Sequence, residues 1–383
     1  MMRRTILDCM TLVGATPSRF DGEKAYISTG AVDCDHIDYT QAESVTYESR
    51  PSRANLSVTE GDMLFAKMCG TKKTLRISKT MAEHLYSTGF CAVRANESVM
   101  IPELLYHLLA SEQFLSQKDQ NSSGATQKAI TNAGLKKITV NVPSLDEQHK
   151  LAAKLDCIED MIAKRYEQLI YLDQLVKSRF IELFGDVIHN SKAWQMRLFA
   201  DIASSRLGKM LDAKQQTGKC SYPYLANFNV QWFRFNIENL NQMDFDEDDR
   251  AEFELKDGDL LVCEGGEIGR CAVWHNEIQP CFFQKALHRV RCNRQIIQPD
   301  YLAWWFKYKC DHDGFAAIAG AKATIAHLPG VKLKQLQVAV PPIELQQQFA
   351  AFVEQTDKSK LAVKQSLEKL ETLKKSLMQQ YFG

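Results

Sequence analysis

Two stretches of the chain place apolar residues every three or four positions. Leu151, Leu155, Ile158, Ile162, Leu169, Leu172, Val176 and Leu183 fall on one helical stripe, and Phe349, Val353, Val363, Leu367, Leu370, Leu373, Leu377 and Tyr381 fall on another. The first start is well marked. Pro143 stops the strand Ile138-Thr139-Val140-Asn141-Val142, and Ser144 with Glu147 forms an S-x-x-E capping box. Gly185 ends that helix, and Pro342 stands in the first turn of the second. A helix of roughly 40 residues is about 60 Å long, too long to bury its stripe on the domain before it. Each helix therefore needs a partner. Equal lengths, with a whole domain between them, predict that the two pair antiparallel as a coiled coil with the domains at opposite ends of a rigid spacer. Packing on its own domain, or in a homodimer, is the alternative.

The two helices are copies. Pro143 to Gly185 aligns with Pro341 to Gly383 without a gap, since 341 − 143 and 383 − 185 both give 198. Identical pairs include Gln148/Gln346, Ala152/Ala350, Leu169/Leu367, Leu172/Leu370, Lys177/Lys375 and Phe184/Phe382. The globular parts correspond more faintly at nearly the same offset: Gly61-Asp62-Met63-Leu64 with Gly258-Asp259-Leu260-Leu261, Val93-Arg94 with Val290-Arg291, and Tyr26-Ile27 with Tyr224-Leu225. The chain thus divides into a first domain (1–143), a first helix (144–185), a second domain (186–341) and a second helix (342–383). Short strands such as Gly258-Asp259-Leu260-Leu261-Val262-Cys263 and Leu287-His288-Arg289-Val290-Arg291-Cys292, followed by a helix from Pro299, make both domains β-rich and the class α+β, or mixed α/β.

Composition narrows the function. The 383 residues are 45% hydrophobic and 25% charged, with no long apolar run, so no membrane span is expected. Met1-Met2-Arg3-Arg4-Thr5-Ile6-Leu7-Asp8 lacks the pattern of a secretory signal, and a cytoplasmic location is expected. Eleven scattered cysteines without a C-x-x-C pair read as reduced, packed thiols, so no metal site is expected. No G-x-S-x-G, H-E-x-x-H, P-loop or Asn/Asp-Pro-Pro-aromatic motif is present, so no catalytic residue is assigned. Glu254-Leu255-Lys256 with Asp244, Asp246 and Asp248 upstream is the nearest nuclease-like fragment, and a solvated acidic loop is the simpler reading. Glu264-Gly265-Gly266-Glu267-Ile268-Gly269-Arg270 lacks a phosphate-loop pattern and reads as a tight strand turn.

Net charge is zero, so any case for nucleic acid rests on local clusters. Lys67, Lys72, Lys73, Arg76 and Lys79 crowd one stretch of the first domain among Thr71, Thr74 and Ser78, as phosphate-contacting loops do. Lys128 joins them. In the second domain the candidates are Lys209, Lys214, Lys219, Arg270, Lys285, His288, Arg289 and Lys322, with Arg234 among Trp232, Phe233 and Phe235; those aromatics are more simply core.

Several motifs, in an order repeated twice, resemble the specificity subunit of type I restriction-modification enzymes over essentially the whole chain. They are Val142-Pro143-Ser144-Leu145-Asp146-Glu147-Gln148 and Val340-Pro341-Pro342-Ile343-Glu344-Leu345-Gln346, Phe184-Gly185, Gly208-Lys209-Met210-Leu211-Asp212 with Tyr224-Leu225-Ala226-Asn227, Gly258-Asp259-Leu260-Leu261-Val262, and Gly124-Ala125-Thr126-Gln127-Lys128-Ala129-Ile130. The first domain has Gly14-Ala15-Thr16-Pro17-Ser18 in place of the Gly-Lys-Met-Leu-Asp motif. The resemblance implies that each domain reads one half of a bipartite, asymmetric double-stranded DNA target and that the helices set the spacer. It also implies docking of two modification subunits that bind S-adenosylmethionine and methylate adenine, and a separate ATP- and Mg-dependent motor-nuclease (restriction) subunit. This chain would then be non-catalytic and hold no cofactor of its own. A specificity subunit of a methylation-only or single-complex system is the near alternative. A scaffold protein that binds no DNA, or a stand-alone nuclease, would belong to another class.

Overall fold

The computed structural model describes residues 2–125, 127–212, 216–312, 314–315 and 327–382. The chain forms two compact units, Met1–Glu167 with Val363–Gly383, and Gln168–Ala362. Each therefore holds one globular domain and half of each long helix, Leu145–Phe184 and Ile343–Phe382.

In the first unit, Met2–Thr5 pairs antiparallel with Thr139–Val142, the strand that feeds the first long helix. Pro143 then forces a turn, and the carboxylate half of the predicted capping box forms: the Ser144 N–H and hydroxyl both donate to Glu147 Oε2, at 3.0 and 2.9 Å. A four-stranded antiparallel sheet runs in the order Met10–Val13, Phe90–Ala95, Met63–Ala66, Thr74–Arg76. A second has the order Glu43–Val45, Lys24–Ile27, Leu85–Ser87, Ala54–Leu56, with one parallel pair in its middle. Met63–Ala66 is buried at every position because it has a core on each face. Met63 and Phe65 pack with Leu104, Leu108, Phe114, Leu151, Leu155 and Phe382, while Leu64 and Ala66 pack with Ile27, Leu75 and Tyr86. The first of these cores contains residues of both long helices, and Lys374 on the second helix pairs with Glu159 on the first at 2.6 Å.

The second unit repeats this plan. Gln195–Leu198 pairs with Gln337–Val340, and a four-stranded sheet runs Ala203–Leu207, Leu287–Cys292, Leu260–Cys263, Cys271–Val273. Leu260 and Val262 face one core, Leu261 and Cys263 the other. The smaller sheet has three strands, with Ser221–Leu225 between Asn241–Asp244 and Phe282–Phe283. Within this unit too the helices meet: Lys360 pairs with Asp173 at 2.7 Å, and Phe180 packs on Phe349 at 5.5 Å between ring centroids.

The repeat extends to single hydrogen bonds. Gln148, fully buried, accepts from Ile101 N at 2.9 Å and donates to Val99 O and Pro143 O at 2.7 and 3.0 Å. Gln346 accepts from Gln298 N at 2.9 Å and donates to Ile296 O and Pro341 O at 3.0 and 2.8 Å. Asp62 accepts from Arg94 Nε at 2.8 Å and Thr59 N at 2.8 Å, and Asp259 accepts from Arg291 Nε at 2.7 Å and Lys256 N at 2.9 Å. These buried amides and carboxylates bind one turn of backbone to the next element, and a substitution would strand buried backbone groups.

Candidate nucleic-acid interface

The hairpin of Met63–Ala66 and Thr74–Arg76 sorts the basic residues of the first domain. Its loop end carries Lys67, Lys72 and Lys73. The segment before Ile130 is stitched to that loop, with Cys69 N donating to Lys128 O and Ile130 N to Lys67 O, both at 2.9 Å. Lys128 thus joins Lys67, Lys72 and Lys73 in one place. Arg76 and Lys79 lie at the other end of the hairpin, where Ile77 N donates to Asp62 O at 2.9 Å, and the Arg76 guanidinium sits 4.7 Å from the centre of the Tyr106 ring. The predicted cluster of five therefore splits in two.

Lys72 is exposed and pairs with Glu112 at 2.5 Å in open solvent. Lys73 turns inward and donates to Thr29 O at 2.7 Å. In the second domain Arg270 donates to Asn227 O at 3.1 Å. Since 270 − 73 is 197 and 227 − 29 is 198, these two cations occupy one structural position and tie the same turn to the same strand end.

Lys209 and Lys285 are brought together, Lys285 N donating to Lys209 O at 2.7 Å. The Lys209 ammonium itself is engaged by Asp244 O at 2.7 Å and by the Asp249 carboxylate. Lys285 is exposed, as are Lys219 and Arg234, the latter on the two-residue strand Arg234–Phe235. His288 is buried against Leu328 O at 3.0 Å, and burial pushes its pKa down. Arg289 donates to Glu252 O at 2.6 Å, so both serve the interior. Phe235 packs edge-on against Trp274 at 5.2 Å, whereas Phe233 is 39% exposed and stacks on Trp304 at 4.5 Å at the surface, so it is not a core residue. Lys214 and Lys322 lie outside the described residues.

The acidic run corrects an expectation. It is not a solvated loop but the start of helix Glu247–Phe253, with Asp246 as N-cap accepting from Asp249 N at 2.8 Å. Asp244 accepts from Thr217 Oγ1 and Gly218 N, each at 2.8 Å, which lowers its pKa. Glu254 caps the far end of the helix. Asp244 and Asp246 are thus engaged by local backbone, and Glu254 serves through its backbone N–H, which donates to Arg250 O at 3.2 Å. Residues 264–270 form the expected turn between Leu260–Cys263 and Cys271–Val273, with Gly266 and Gly269 at φ of +74° and +80°.

Among the described residues one grouping has metal-ligand chemistry: His107, Asp156 and Glu159 each offer an atom within 4.8 Å of the others. Its geometry is that of an imidazole lying between two carboxylates. Nε2 of the buried His107 ring lies 2.8 Å from Asp156, Nδ1 lies 3.4 Å from Glu159, and the Lys374 ammonium already compensates Glu159. Sequence reading missed this grouping, and it also missed Lys118, whose signal is its place four residues after Phe114 on the apolar face of Glu112–Gln120.

Among the described residues no helix is long and apolar enough to cross a membrane. A family model for the type I restriction modification DNA specificity domain matches residues 16–170 and 191–373. The EcoKI specificity subunit of Escherichia coli is 22% identical over 352 residues, 85% of this chain and 75% of that one. A relative from Methanocaldococcus jannaschii, provisionally assigned as the MjaX specificity subunit, is 25% identical over 193 residues, 49% of this chain and 45% of its own length. The match thus spans about half of that relative. A solved S subunit of a type I system from M. genitalium shares the fold at a TM-score of 0.58 with 14% identity, covering 100% of this chain and 96% of that one. With both matched segments falling on the two repeats, the chain belongs to the type I restriction-modification DNA specificity family.

Proposed function

We propose that this chain is the non-catalytic DNA-reading subunit of a type I complex, each globular domain reading one half of a bipartite, asymmetric target. One observation carries the reading: the two domains keep the same internal hydrogen bonds, from Gln148 and Gln346 and from Asp62 and Asp259, while their exposed loops differ in sequence and charge. A shared frame with separately varied loops suits two different half-sites. The long helices set the spacer between halves. They also dock two modification subunits, and S-adenosylmethionine, ATP and Mg act in the modification and restriction subunits rather than here. In the second unit, Ile170, Tyr171, Leu175 and Leu361 stand exposed on the helices and give such a subunit apolar surface to cover. Exchange of residues 186–341 for those of another family member is expected to change one half of the methylated sequence, read by methylome sequencing. A change in both halves, or in neither, overturns the reading. Unaltered methylation after deletion of the gene would favour a scaffold role.

A further inference from the structure

In the first unit one cation is spent where solvent does not reach it. The Lys118 side chain is fully enclosed, and its Nζ donates to Ala66 O at 3.2 Å, Met68 O at 3.0 Å and Thr71 O at 2.9 Å. An ammonium has three N–H donors, and one loop takes them all. The next residue, Asp119, accepts from Gly70 N at 3.0 Å and lies 3.5 Å from the ammonium. Gly70 has φ of +76°, a conformation that favours glycine. Two consecutive residues of one helix thus hold loop 66–73 at four backbone points. Burial pulls the Lys118 pKa down, and the Asp119 charge works against that.

The second unit shows that the fold does not require this. Beneath the equivalent loop Phe315, which follows the helix Pro299–Asp311, is buried and stacked on Phe306 at 6.0 Å, and Cys310 Sγ donates to Ile268 O, the counterpart of Thr71 O, at 3.0 Å. A Cβ added to Gly269 would stand 3.0 Å from the Phe315 ring, so an apolar side chain closes beneath the equivalent loop. Enclosing an ammonium costs desolvation that a phenylalanine avoids. What the first unit gains is a loop whose carbonyls are fixed, and that loop carries Lys67, Lys72 and Lys73 beside Lys128.

We propose that Lys118, with Asp119, is a positioning residue for DNA reading by the first domain: it fixes loop 66–73 so that Lys67 and Lys72 meet the duplex in one register. A preorganised loop distinguishes a right from a wrong base step, whereas a loose loop binds phosphate anywhere. The inference rests on the DNA-reading function above.

The test uses the complex assembled with its modification subunits. Affinity is measured for the target duplex and for duplexes with one base pair changed in either half, the halves being assigned by the exchange of 186–341. Lys118→Met is expected to lower discrimination about ten-fold in the first domain's half, the size of roughly one lost base-pair contact, and to leave the other half unchanged. Lys118→Arg keeps donors at that place and recovers part of the loss. Asp119→Ala, which removes only the hold on Gly70, is expected to give a smaller loss in the same half and serves if Lys118→Met does not fold. Unchanged discrimination in both halves overturns the inference, as does an equal loss in both, which would mark a folding defect. A wild-type complex without any bipartite preference would instead overturn the DNA-reading function itself.

Discussion

In the second unit the junction between globular domain and long helices is aromatic. The Phe180 ring packs at 5.1 Å from Phe184, 5.9 Å from Tyr301, 6.0 Å from Trp304, 5.9 Å from Tyr308 and 5.5 Å from Phe349. The first unit fills the corresponding positions differently. The repeat offsets place Met378 opposite Phe180, His107 opposite Trp304 and Ser111 opposite Tyr308. There His107 lies between Asp156 and Glu159, with Lys374 on Glu159. Both junctions bury apolar side chains and keep the same glutamine-to-backbone bonds, but at these positions the second is aromatic while the first carries charged groups. The register of domain on helix is therefore carried by a few directional bonds, and the filler around them is free to vary.

The largest effect is expected from emptying the aromatic junction. Phe180→Ala removes a fully buried ring and should cost about 3–5 kcal/mol in the second unit. Met378→Ala, at the matching place in the first unit, removes a partly buried flexible side chain and should cost less. Hydrogen exchange followed by mass spectrometry resolves the two units, and equal losses would mean that the junctions do not differ as described. Next come the glutamines. Gln148→Leu and Gln346→Leu each strand one N–H and two carbonyls, so each should cost about 2–3 kcal/mol, and by similar amounts. A large inequality between them would break the equivalence of the two frames.

Much of this was legible in the sequence, for a physical reason. Helices impose a local spacing of three to four, so Leu145–Phe184 and Ile343–Phe382 show in the stripe and in the gapless offset. The apolar run Leu260–Cys263 shows as a strand because it is buried on both faces. The basic residues were another matter. Lys73 and Arg270 are neighbours of Thr29 and Asn227 only in space, so a list of cations cannot tell which ones are already bound to carbonyls. Their alignment at the offset of 197 was the one available sign that they share a role. The acidic stretch misled because its carboxylates cap a short helix whose apolar face is a single turn long.

The ion-paired junction adds a pH dependence to the comparison. Burial pulls the pKa of Glu159 up, but hydrogen bonds and charge from His107 and Lys374 outweigh it and bring it down to about 2, from 4.5. A carboxylate depressed in the folded state stabilises above the unfolded value and loses that contribution as pH falls from about 4.5 towards about 2. Acid should therefore loosen the first unit's junction over that window, while the aromatic contacts around Phe180 carry no such term. Lys374→Met should cost about 1 kcal/mol at neutral pH and flatten the acid response. A response unchanged by that substitution would remove Glu159 as its source.

The smallest expected effect on stability is also the one that separates fold from function among the lysines. Lys72 and Glu112 form their pair with side chains 62% and 66% exposed, where screening and side-chain entropy leave an ion pair worth about 0–1 kcal/mol. Lys72→Ala should thus leave the melting temperature of the first unit nearly unchanged. Its neighbour Lys73 is tied to Thr29 O, so Lys73→Ala should loosen the loop as well as remove a charge. If the loop meets phosphate, Lys72→Ala weakens binding of the assembled complex to all duplexes alike and lowers the slope of log affinity against log salt by about 1. Lys73→Ala should in addition blur the choice between duplexes altered in the first domain's half. The same loss of discrimination from both substitutions would mean that Lys72 reads bases rather than phosphate, and an unchanged salt slope would place the duplex away from this loop.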